Sequence, residues 1–114
     1  MINTIVYSWK RSLPGREALS AQYFAEFTAY LAGLRSEGRI ASFEPVLLEP
    51  NGRMSGFFLI YGSGKQLAQV LDSPAWSEHI TRSLMHLDEP VLACGSSGEA
   101  VGERLRAWAA HIPA

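Results

Sequence analysis

The chain has 114 residues, 47% of them hydrophobic and 18% charged, and its ten basic and eleven acidic side chains leave a net charge of -1. That is enough apolar material for one core and too little chain for two, so residues 1–114 are read as a single domain. The scattered, balanced charges exclude a phosphate-tracking nucleic-acid surface, and no apolar run approaches the ~20 residues that cross a bilayer.

Met1 to Trp9 is apolar but has neither a basic leader region nor a small-residue cleavage site, so the expected location is the cytoplasm. Ile2 to Lys10 alternates as a first strand, with Ile5, Tyr7 and Trp9 on one side and Thr4, Val6 and Ser8 on the other. Leu13, Pro14 and Gly15 break the strand. Tyr23, Phe27, Tyr30, Leu31 and Leu34 then recur at helical spacing, and Gly38 closes the helix with the residue a left-handed cap prefers.

Arg39 to Glu49 and Met54 to Tyr61 read as strands two and three of a hairpin turned by Pro50-Asn51-Gly52. Pro45 cannot donate to a ladder, which puts strand two at a sheet edge or gives it a bulge. Strand three is apolar on both sides, with Phe57 and Leu59 opposite Met54, Phe58 and Ile60. Lys65 to Leu87 is helical but interrupted at Asp72-Ser73-Pro74, where Ser73 serves as N-cap and Pro74 as first helical residue. Trp76, Ile80, Leu84 and Leu87 form the stripe of its second part. Pro90 to Cys94 is a short fourth strand, and a last helix carries Val101, Leu105, Trp108 and Ile112 on one face. Cys94 is the chain's single cysteine, so it forms no intramolecular disulfide, and its neighbours Val91, Leu92 and Ala93 make it a buried small hydrophobe.

This order defines an α+β, ferredoxin-like βαββαβ domain with an antiparallel four-stranded sheet in order 4-1-3-2, a broken second helix and an extra C-terminal helix. Both long helices then cover one face. The other, which carries Val6 and one side of strand three, has no cover, and apolar surface left in water costs ~25 cal/mol per Å². Here the chain resembles the dimeric α+β barrel superfamily, in which two such sheets close face to face, and within it antibiotic-biosynthesis-monooxygenase-like and stress-responsive barrel proteins. The resemblance rests on element order and on the broken helix, and it implies a homodimer. The superfamily's haem-degrading branch uses an Asn on the first strand, a Trp near the end of the third and a His on the second helical region. Asn3 and His79 match, but strand three ends in Tyr61-Gly62 without a Trp, so no cofactor is expected.

His79 and His86 lie seven apart, ~10 Å along a helix axis, so they cannot share a metal ion within one helix. Both read as half-exposed boundary residues, and no zinc spacing exists in the chain. His111 sits in a terminal turn. The start Gly62-Ser63-Gly64-Lys65 fails the Walker pattern at Leu59 and Gln66. Strands three and four run the same way, which brings this loop and Gly95-Ser96-Ser97-Gly98 to one sheet end, and Gly64 with Lys65 is a candidate anion site there. Tyr7, Trp9, Phe58, Tyr61 and Trp76 are core aromatics or the wall of a pocket between sheet and helices for a hydrophobic small molecule. Glu44 and Glu78 are the nearest carboxylates, and neither completes an acid-base pair. The leading expectation is a small-molecule-binding homodimer with Trp9, Phe58, Tyr61 and Trp76 around the ligand. The alternatives are a cofactorless monooxygenase or isomerase, in which His79 or Tyr7 moves protons, and a purely structural dimer module.

Overall fold

The computed structural model describes residues 2–113. Strands β1 (Thr4–Trp9) and β2 (Arg11–Ser12) are followed by α1 (Glu17–Ser36), β3 (Ser42–Leu47), β4 (Gly56–Tyr61), α2 (Gly64–Leu71) and α3 (Pro74–Ser83). Strands β5 (Leu87–Asp88) and β6 (Val91–Gly95) and helix α4 (Glu99–Ala110) complete the chain. The four longer strands form one antiparallel sheet in the order β3-β4-β1-β6. The result is an α+β architecture compatible with a ferredoxin-like arrangement.

Pro45 lies in β3, an edge strand, where its missing N–H costs no ladder bond to a further neighbour. The hairpin between β3 and β4 is organised by Asn51. Its amide donates to the carbonyls of Glu49 and Met54, and its Oδ1 accepts from the N–H groups of Arg53 and Met54. The helical break forms where Ser73 and Pro74 stand. Ser73 accepts the N–H of Trp76, and Ser63 opens α2 with a reciprocal capping box to Gln66.

Register settles the two faces of the sheet. Ile5 is opposite Ile60 and Tyr7 opposite Phe58, so these four share one face, which α1, α2 and α3 cover. Tyr23, Phe27, Leu31 and Leu34 of α1 and Leu67, Val70 and Trp76 of α2 and α3 complete this core. Full burial of each such side chain contributes roughly 1.5–3 kcal/mol. Phe57, Leu59 and Tyr61 fall on the other face with Val6 and Val46, all half-buried, and with exposed Val91.

Three expectations are corrected. The second helical part ends at Ser83, not Leu87: Leu87 and Asp88 pair with Arg11 and Ser12 as an added two-stranded ribbon. The three-residue step from Leu84 to Leu87 imitates a helical stripe, yet Leu84 is exposed and Leu87 is buried from a strand. His86 is buried, 4% exposed, because the turn before that ribbon folds it against α1. Cys94 is exposed, since no helix covers β6.

Candidate functional site

A cavity of about 40 Å³ opens between the sheet and α1, walled by Tyr7, Trp9, Ser20, Tyr23, Phe24, Phe58 and Leu87. Each element supplies its part for a local reason. Alternation in β1 turns Tyr7 and Trp9 to the covered face, β4 adds Phe58 beside Tyr7, and the helical step in α1 aligns Ser20, Tyr23 and Phe24. Trp9 meets Phe24 edge-on at 6.4 Å between ring centroids and lies 5.8 Å from Phe58.

The hydroxyls on this wall already have partners. The Ser83 hydroxyl donates to the carbonyl of Ile80, so the Tyr7 phenol donates to Ser83 Oγ. The Tyr23 phenol donates to the carbonyl of His79 at 2.9 Å. Ser20 Oγ is 2.7 Å from His86 Nδ1. Burial pushes the Tyr7 phenol up from its ordinary pKa, against the lowering effect of its Ser83 bond, and burial also raises Tyr23 strongly. Both stay protonated at neutral pH, and the cavity presents an apolar, uncharged wall.

His79 stands outside that wall. Its ring packs on Tyr30 at 4.4 Å and on Phe27 at 5.5 Å between centroids, and neither His79 Nδ1 nor the Tyr30 hydroxyl finds a hydrogen-bond partner. His86 Nε2 is likewise buried without a partner. Desolvation holds both imidazoles below the usual histidine pKa, and the Arg82 guanidinium adds to it in each case, joined at His86 by Arg16. Both rings are therefore neutral at pH 7. Arg82 itself is paired with Glu26.

The structure thus brings Tyr7, Trp9 and Phe58 together and leaves the other sequence-derived candidates elsewhere. Trp76 is core, 5.8 Å from Phe27 between ring centroids. Tyr61 points to the opposite face of the sheet. Of the two candidate proton carriers, Tyr7 lines this cavity and His79 does not. Gly64 and Lys65 do open α2 at the sheet end where the loop after β6 also emerges, joined through Asn3, whose carbonyl accepts from Gly62 and whose N–H donates to Gly95. The N–H groups of Ser63 and Gln66 serve the capping box and that of Ser97 bonds Asn3 Oδ1, so the loops satisfy these donors internally.

Sequence reading missed Ser20, Tyr23, Phe24 and Leu87. Tyr23 had a helical signal that placed it in the core. Ser20 had none, because its partner His86 is 66 positions away.

Among the described residues, no three His, Cys, Asp or Glu side chains gather where they could hold a metal ion, and no helix is long and apolar enough to cross a membrane. No protein-family model matches the chain and no curated protein matches it, so the functional reading rests on geometry.

Proposed function

We propose that this chain is a homodimeric binding protein for a small, uncharged, largely apolar molecule, held between the sheet and α1 against Trp9, Phe24 and Phe58. The observation that carries the reading is the cavity wall, aromatic on most sides and with its hydroxyls engaged. Such a wall has no charge to offer a charged ligand and penalises one for its lost hydration. At about 40 Å³ it is smaller than the ~150 Å³ cavity that accepts a benzene ring, so a ring-sized ligand needs an element to yield. The first turn of α1, which carries Ser20, fits that part because Arg16 gives it no side-chain cap.

The dimer extends the likeness to the dimeric α+β barrel superfamily. Its support is the uncovered face of the sheet, where Glu44 is the one charged side chain that the four strands contribute. Two tests apply. Benzene should raise the melting temperature and shift Trp9 emission, benzoate should do neither, and Ser20→Leu, which fills the space from α1, should abolish the benzene effect. If benzene and benzoate act alike, the apolar-site reading fails. Wild-type protein should sediment as a dimer and Leu59→Glu as a monomer; equal masses would remove the sheet face as the interface.

A further inference from the structure

Helix α4 is amphipathic and twelve residues long, yet none of its residues is buried. Val101, Leu105 and Trp108 lie on one side, 41%, 52% and 60% exposed, and Ile112 just beyond the helix is 69% exposed. An isolated helix under ~12–15 residues is marginal in water, so this one needs a packing partner. Its own domain does not supply one. The radius of gyration is 15.9 Å, against about 13 Å for a compact chain of this length, and the longest dimension is 54 Å.

The root of the helix is a built joint. Asn3 holds Ser97 from two sides, its Oδ1 accepting the Ser97 N–H at 2.8 Å and its Nδ2 donating to the Ser97 carbonyl at 3.0 Å. Thr4 Oγ1 lies 2.5 Å from Ser97 Oγ. Thr4 is opposite Tyr61 in the ladder, so its side chain belongs to the uncovered face with Val6 and Leu59. The joint therefore anchors the start of α4 at the sheet end, with Ser97 in contact with a side chain of the open face.

We propose that α4 of each copy packs its Val101-Leu105-Trp108 stripe against the open sheet face of a second copy, so that two arms are exchanged across a two-fold axis. This rests on the dimer reading above and adds the arm to it. Three features fit a second copy of this chain. Both unpartnered apolar surfaces occur in one molecule and start at one joint, which makes the contact self-complementary and closed. Each arm offers on the order of 400 Å² of largely apolar surface, so two arms supply about half of a ~1,600 Å² standard interface and the sheet faces supply the rest. The charges also match. Arg104 borders a groove of about 250 Å³ with Ser96, Val101, Leu105 and Trp108, and the open sheet face carries one strand carboxylate, Glu44, for a partner's Arg104 to meet.

Leu105→Glu is the test, measured by sedimentation equilibrium beside wild type and Leu59→Glu. Leu105 is exposed in the protomer, so the substitution leaves the fold intact. The expected result is a dimer dissociation constant raised about 1,000-fold, because the loss counts at two symmetric contacts. Arg104→Glu should also weaken the dimer, and Glu44→Arg in the same chain should restore it. If Leu105→Glu dimerises like wild type while Leu59→Glu does not, the arm exchange is wrong and the sheet-face dimer stands. If wild type is monomeric at every concentration, both fall and α4 belongs against a different protein. Failure of the Glu44→Arg rescue would overturn the placement of the arm on the open face.

Discussion

Replacing Gly56 by alanine places a methyl carbon 2.5 Å from the carbonyl oxygen of Val46, 3.1 Å from Leu47 Cδ2 and 3.3 Å from Trp9 Cζ2. The first contact decides the outcome, because it is with backbone that cannot rotate away. Gly56 starts the central strand β4, opposite Leu47 of β3 and Trp9 of β1, so relief requires β3 to splay from β4 at that end. Overpacking of this kind costs roughly 1–3 kcal/mol. At about 4 °C per kcal/mol for a domain of this size, the expected fall in melting temperature is about 4–12 °C. Circular dichroism measures it, and Trp9 emission should shift as well, since the added carbon presses on the ring that walls the cavity. A melting temperature within about 1 °C of wild type would mean that the β3–β4 register at Gly56 is wrong, and the placement of Trp9 in the cavity wall would lose its support.

Neutral His79 and His86 make stability depend on pH in a definite direction. Both folded pKa values lie below the unfolded value of ~6.5, so in that window the unfolded chain binds more protons and stability rises with pH. The contribution is complete above ~6.5 and is lost as the pH falls towards and through the folded values. His86→Gln, which keeps a group able to bond Ser20, should show a smaller fall in melting temperature between neutral and mildly acid buffer; an unchanged acid slope would contradict the burial argument. Ser73→Ala removes the N-cap of α3 and should cost about 1 kcal/mol, read as a lower denaturant midpoint at constant slope. No loss would mean that α3 is held by Trp76 packing alone.

Legibility in the sequence followed the range of the interactions. The strand alternation of β1, the stripe of α1, the edge position of Pro45 and the break at Ser73-Pro74 are set by residues within a few positions of one another, and the structure has them where the pattern places them. The ribbon of Arg11–Ser12 with Leu87–Asp88 was not legible, because each segment is two residues long and finds its partner across more than seventy positions. The same ribbon places Leu87 in the cavity wall and folds His86 onto Ser20. The side of the strand on which Tyr7, Trp9 and Phe58 stand was therefore readable, while the contacts that join elements were not.

Apolar periodicity reports that a surface needs burial, and it is silent on which chain provides it. For α1 the need is met inside the domain, where Phe27 and Leu31 have no exposed surface. For α4, the same three- and four-residue spacing meets nothing, and the aliphatic run of β6 leaves Val91 and Leu92 in solvent and Cys94 exposed. The expectation of a buried Cys94 failed because it assumed that an apolar run is buried by its own domain. Exposed large hydrophobics also stand elsewhere, among them Leu19, Leu47 and Met85, and Leu92 and Cys94 fall on the helix-covered side of the sheet, opposite Tyr7 and Ile5, but α4 is the one described helix with no buried residue. A helix whose whole apolar stripe is unmet, with its root fixed by hydrogen bonds to Asn3, is the pattern of a surface completed by association.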